Sequence, residues 1–242
     1  MSFCFEFRPL AVTFVQLYNQ TMSKENFLTS SIGKKVVMSL TGLFLISFLV
    51  VHVSINSCIF VNDGGVTFNA AAHFMAHNII IRIMEVGLFA GIFLHMIQAL
   101  VLTRQNNKAR AVKYVMHNGN SNSKYYSRSM GVLGSLLLIF FVVHWANFWV
   151  PTKVAVFTHT EHDTFANMKE VFSKPIFVAI YMVGVVSLCF HLLHGFPSAF
   201  QTLGLSHKRY TPMIKKLGVA FSLVVCALFA AMPISMFMGW IK

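Results

Sequence analysis

Thr41-Gly-Leu-Phe-Leu-Ile-Ser-Phe-Leu-Val-Val-His52 is uncharged and strongly apolar, and it carries one imidazole. It sits within a longer run, residues 36–61, that contains no Asp, Glu, Lys or Arg. That run exceeds the ~20 residues a helix needs to cross a bilayer core. A histidine inside such a helix is costly, and an intramembrane ionisable residue is by default a functional-site hypothesis. The chain repeats the arrangement around His95, around His144 and around His191 and His194.

Composition agrees with the membrane class. Of 242 residues, 56% are hydrophobic and only 11% charged, and the mean hydropathy is +0.67. These values exclude an ordinary soluble enzyme. The net charge of +12 does not point to nucleic acid, because the basic residues lie between the apolar runs, where membrane topology places them. Cys4, Cys58, Cys189 and Cys226 are scattered, without CxxC or iron–sulfur spacing, which argues for packing rather than a disulfide framework or a cluster.

Working outward, residues 1–33 form a cytoplasmic N-terminal segment. Met22-Ser-Lys-Glu-Asn reads as an ordinary cytoplasmic start, with residues 1–21 as a start-site artefact. Residues 34–242 form a single membrane domain. The five expected spans are 36–61, 79–103, 129–150, 175–206 and 217–241. Asn62-Asp-Gly-Gly-Val is a turn signal, and residues 68–78 form a short interfacial helix. The third span is expected to close at Trp145, Trp149 and Pro151, as aromatic anchors at an interface. The fourth is longer than a bilayer requires and must tilt, protrude or kink at Gly195 and Pro197.

The segments before the first span, at 104–128 and at 207–216 are basic, and they alternate so as to share one side. The positive-inside rule then puts the N-terminus in the cytoplasm and the C-terminus outside. The fold class is therefore an all-α integral membrane protein, a bundle of five transmembrane helices.

Depth pairs the histidines. His52 lies ~24 Å past residue 36 and His144 ~22 Å past residue 129, both on outward-running spans, so both fall in the outer half. His95 lies ~14 Å from Arg104 at the inner edge of an inward-running span. The fourth span also runs inward and carries His191 and His194 past its midpoint. Two pairs follow: His52 with His144 farther out, and His95 with His191 or His194 farther in. Two facing imidazoles at one depth are what a bis-histidine haem iron needs, and bundle cores are where such sites are built. A bare metal ion would recruit carboxylates or thiolates, which the spans do not offer at matching spacing. His191 has Gly195 one turn later, and His95 has Ala99, leaving room for a porphyrin plane. His191 is the preferred ligand and His194 the alternative. Ser39 and Arg128, toward the basic rim, are candidate donors to haem propionates. The bundle is thus expected to hold two haems b.

Thr-Gly-Leu-Phe-Leu…Val-Val-His52, His95-Met-Ile-Gln-Ala, Gly134…Val-Val-His144 and Phe-His191-Leu-Leu-His-Gly195, on five spans, resemble the two-haem cytochrome b membrane subunit of succinate:quinone oxidoreductases, which include quinol:fumarate reductases. The resemblance runs from about residue 22 to the C-terminus. The tail from His194 to Gly204 is similar to the form in Bacteroides-type bacteria. The resemblance implies a subunit of the bacterial cytoplasmic membrane that anchors a flavoprotein and an iron–sulfur subunit on the cytoplasmic face. It implies electron transfer between succinate or fumarate chemistry and a membrane quinone, menaquinone above all, and leaves the whole complex a candidate for dimerisation. The family pairs its first-span ligand with its third and its second with its fourth, as depth does here. Cys189 stands where some members carry an acidic residue before the fourth-span ligand, so their proton pathway is not carried over.

A quinone site needs an apolar slot with a proton donor or acceptor. The candidates are His73, His77, Arg82 and Glu85, near the outer end of the second span. The competing reading is a surface ion pair for Arg82 and Glu85 and a solvated helix face for His73 and His77. Two alternatives stand beside the main reading. One is a cytochrome b anchor of another dehydrogenase or a hydrogenase, usually with four spans. The other is a metal or proton transporter using its histidines, for which paired carboxylates or broken-helix repeats would be expected.

Overall fold

The computed structural model describes residues 30–109 and 125–241. The proposed start at Met22 and residues 110–124 of the second basic segment lie outside the described residues. Helix α1 spans Ser31–Ser57, its first turn capped by the Ser30 hydroxyl, which accepts from the Gly33 amide at 3.0 Å. A short 3-10 turn, Cys58–Val61, carries it to the reversal. There Asn62, Gly64 and Gly65 take left-handed φ values of 58°, 72° and 86°, as the turn signal requires. Asp63 then accepts from the Thr67 amide at 3.0 Å and starts α2, Val66–His77.

Helix α3 spans Ile79–Ala109, its first turn opened by the Asn78 side chain, which accepts from the Ile80 amide. The short α4, Tyr125–Arg128, precedes α5, Met130–His144. A π-helical turn, Trp145–Trp149, joins α5 without a break to α6, Val150–Thr158. Helix α7 spans Thr164–Ser173, α8 Pro175–Thr202 and α9 Thr211–Phe237. Among the described residues, five segments are long and apolar enough to cross a membrane: Ser31–Val61, Ile79–Asn106, Met130–Thr158, Pro175–Thr202 and Thr211–Phe237. Their flanks agree with the expected class. Ile83 is 68% exposed and Val86 71%, apolar surface that lipid rather than water tolerates.

The third span departs from expectation. Pro151 does not end it, because the π turn resets the ladder first, with the Val150 amide donating to the Trp145 carbonyl. Pro151 has no N–H to offer the Asn147 carbonyl one turn earlier. That carbonyl accepts instead from the Asn167 side chain at 2.9 Å. Pro197, likewise, sits inside a continuous α8.

Contact pairs establish alternating directions. Phe44 lies against Gly91 and Gly42 against His95, so α1 and α3 run antiparallel. Phe140 lies against Gly184 and His144 against Tyr181, so α5 and α8 do too. Phe196 covers Gly218, pairing α8 with α9. The buried core runs along these seams. It is continued at the end nearest Ile59 by Phe68, Phe165, Met168 and Phe172 from α2 and α7. Residues 152–174, between the third and fourth expected spans, are mixed in charge. The amphipathic α7 there closes that end of the bundle, capped by the Asp163 carboxylate on the Ala166 amide at 2.9 Å.

Candidate haem sites between the helices

His52 and His144 come together from α1 and α5, with ring centroids 5.7 Å apart and planes at 89°. His95 and His191 come together from α3 and α8, with centroids 6.2 Å apart at 63°. The first is the pair expected from depth; in the second, where depth leaves His191 and His194 both open, the ring that meets His95 is that of His191. Imidazole–metal bonds run about 2.0–2.1 Å, so two rings on opposite sides of one metal have centroids roughly 6 Å apart. Both separations fit that requirement.

Aromatic rings enclose the first pair. Phe48 stacks on His52 at 5.2 Å and Phe229 approaches it at 5.6 Å. Phe140 stacks on His144 at 5.6 Å, and Phe148 and Tyr181 close its sides at 5.6 and 6.0 Å. Asn56 places its amide nitrogen 3.4 Å from His52 Nδ1 while donating to the His52 carbonyl at 2.8 Å. The Tyr181 hydroxyl lies 3.5 Å from His144 Nδ1. At the second pair, Thr41 Oγ1 lies 3.1 Å from His95 Nδ1. The Thr41 and Tyr181 oxygens can accept from Nδ1–H, which leaves Nε2 of His95 and of His144 as the coordinating nitrogen; outer contacts of this kind orient metal-bound histidines.

The residues fit a flat, apolar-walled group. His191 Nδ1 is buried without a hydrogen-bond partner. A Cβ added at Gly195 or Gly134 would meet nothing within 4 Å, so both glycines border open space where a ring plane can lie. His194 is differently placed. Its Nε2 lies 3.4 Å from Ser198 Oγ on its own helix, while the ring that meets His95 is that of His191. Among the described residues no cluster of three or more His, Cys, Asp or Glu could hold a bare metal ion. Ser39 is buried and donates to the Lys35 carbonyl of its own helix at 3.0 Å. Arg128 is exposed at the end of α4.

The four residues proposed for a quinone site are brought only partly together. His73 and His77 stack at 3.9 Å on the exposed face of α2. Arg82 turns back and donates from Nε to the Ala76 carbonyl at 3.2 Å. Arg82 and Glu85 do not form the surface ion pair of the competing reading. Glu85 accepts from Lys153 Nζ and from the Trp149 indole, because the helix continuing past Pro151 carries both alongside α3. Phe89 packs between Trp145 and Trp149 at 5.0 and 5.1 Å. These tryptophans are thus tied to α3, and they stand inside their span rather than closing it as expected. Sequence reading missed Lys153 and Phe89, although both lie at helical spacing from residues it did name.

Five helices long and apolar enough to cross a membrane, with two histidine pairs held between them, define an all-α protein of the membrane-bundle class. The chain is similar to the succinate dehydrogenase cytochrome b558 subunit of Bacillus subtilis (strain 168), with 29% identity over 191 residues, covering 76% of this chain and 82% of that protein. This bears out the resemblance to the cytochrome b anchors of succinate:quinone oxidoreductases. No family model matches the chain, and no solved structure matches it.

Proposed function

We propose that the chain is the dihaem cytochrome b anchor of a succinate:quinone oxidoreductase in the bacterial cytoplasmic membrane. It would pass electrons between an iron–sulfur subunit and a membrane quinone such as menaquinone, and would not act on succinate by itself. The observation that carries this reading is the presence of two histidine pairs, 5.7 and 6.2 Å between ring centroids, on four separate spanning helices. The likeness to a succinate dehydrogenase cytochrome b558 subunit supports the choice of complex. The basic segment around Arg104 and Lys108 and that around Lys208, Arg209, Lys215 and Lys216 support a cytoplasmic N-terminus. They would face a flavoprotein and an iron–sulfur subunit.

Haem b, when bound, supplies a one-electron carrier at each of the two depths. His52 and His144 would hold the outer iron, and His95 and His191 the inner one. Phe48, Phe140, Phe148 and Phe229 keep water from the outer pair, and Thr41 fixes the ring of His95. For the quinone we propose the aromatic surface formed by Phe89, Trp145 and Trp149. There the Glu85 carboxylate and Lys153 ammonium form a half-buried pair able to exchange a proton with a quinone oxygen. Arg82, His73 and His77 flank it.

The test is purification of the chain from its native membrane through an affinity tag. Co-purification of a flavoprotein and an iron–sulfur protein, with succinate-dependent reduction of a quinone analogue, is the expected result. Isolation of the chain with a hydrogenase or formate dehydrogenase module, or with no partner, would overturn it. Glu85→Gln should raise the quinone KM or lower turnover while leaving succinate oxidation by an artificial acceptor unchanged.

A further inference from the structure

His144 differs from the other three paired histidines in what stands behind it. Its Nδ1 lies 3.5 Å from the hydroxyl of Tyr181, a residue only 6% exposed and contributed by α8. That hydroxyl accepts from Asn147 Nδ2 at 3.4 Å, and the Asn147 carbonyl accepts from Asn167 Nδ2 at 2.9 Å. The Asn147 carbonyl is available because Pro151 has no N–H to give it. A polar chain therefore links the imidazole through α8 and the π turn to α7, the helix that caps this end of the bundle. At the other pair, the Thr41 hydroxyl donates to its own helix at Val37 and Met38 while facing His95, and His191 Nδ1 has no partner.

Resting on the dihaem reading above, we propose that Tyr181 is a positioning residue that tunes the outer haem through His144, with Asn147 and Asn167 holding its hydroxyl in place. The polarity is fixed by chemistry. A histidine that ligates through Nε2 carries its remaining proton on Nδ1, so Nδ1–H donates and the Tyr181 oxygen accepts. An acceptor behind a ligating imidazole makes the ring a stronger donor to its metal, and loss of such partners typically weakens metal binding by about 10–100-fold. A more basic axial ligand favours the oxidised iron, so Tyr181 holds the outer haem at a lower potential than it would otherwise have. The ring also packs edge-on against Phe140, Phe148 and Phe172. Tyr181→Phe therefore removes the acceptor and keeps the packing.

The experiment is a potentiometric titration with low-temperature electron paramagnetic resonance on the assembled complex. Wild type is compared with Tyr181→Phe and Asn167→Leu, the outer haem being the one lost in His144→Ala. The expected result for Tyr181→Phe is an upward shift of the outer potential and an altered outer-haem resonance, with the inner haem unmoved. Asn167→Leu should shift the outer haem the same way by a smaller amount, and it carries the test should Tyr181→Phe fail to assemble. Two haems with unchanged potentials, or equal shifts at both, would overturn the role of Tyr181 and leave the haem reading standing. A wild-type complex without haem would overturn both.

Discussion

The Thr41 hydroxyl, one residue before Gly42, lies 3.1 Å from His95 Nδ1, and a Cβ on Gly42 would stand only 3.4 Å from His95 Cε1. Two consecutive residues of α1 thus seat one imidazole of α3, the first by a hydrogen bond and the second by having no side chain. Because the hydroxyl proton is directed to the Val37 and Met38 carbonyls, its lone pair is what faces the ring, and Nδ1 is held as the N–H. Thr41→Val keeps the shape and removes the acceptor. It should weaken retention of the inner haem by about tenfold and leave the outer one in place, as read by haem content after dilution into haem-scavenging apomyoglobin.

The two histidines of α8 separate cleanly. His191→Ala should abolish the inner haem, while His194→Ala should retain both, because its Nε2 is occupied by Ser198 of the same helix. Visible spectra of the two variants check this. Loss of one haem in His194→Ala with both kept in His191→Ala would reverse the assignment.

Gly184 is the point where α8 comes closest to the ring that backs the outer site. An alanine there would drive its Cβ into Phe140, which stacks on His144 at 24° between planes. Gly184→Ala should destabilise the bundle by about 1–3 kcal/mol and perturb the outer haem first, seen as a lower melting temperature and an early loss of that haem's band. A variant as stable as wild type would show that Phe140 can move aside.

How much of this was legible in the sequence follows from what sets each feature. The spans follow from uninterrupted apolar runs, and the histidine pairs from depth, which needs only the helix rise and the direction of each span but leaves His191 and His194 both open. Contacts that depend on rotation about the helix axis were not legible. Thr41 against His95, Tyr181 against His144 and Lys153 against Glu85 each join residues far apart in sequence. Pro151 misled because a proline normally stops a helix. The π turn before it and the Asn167 amide, which satisfies the freed carbonyl, remove the reason to stop. Nor is α7 apolar enough to attract notice; it is held by its cap and by the Asn69 side chain, which donates to Asp163 at 2.8 Å and accepts from the Phe165 amide at 2.9 Å.

That cap carries a pH dependence. The Ala166 amide, followed by the Asn69 side chain, holds the Asp163 carboxyl below the usual carboxylate range. A carboxylate with a lowered folded pKa contributes stability that is present above its unfolded value, about 3.9, and is lost as pH falls through the folded value. Asp163→Ala should therefore cost about 1 kcal/mol at neutral pH. Its difference from wild type should shrink once the pH drops below about 4. Thermal melts at neutral and acid pH measure this, and an equal difference at both would contradict it.

The central claim is that His52 with His144 and His95 with His191 each hold a haem iron. A reduced-minus-oxidised visible spectrum of the purified chain, with pyridine-haemochrome quantitation, tests it most directly. The account predicts about two low-spin b haems per chain, one for each histidine pair; a chain purified without haem from haem-replete cells would contradict it.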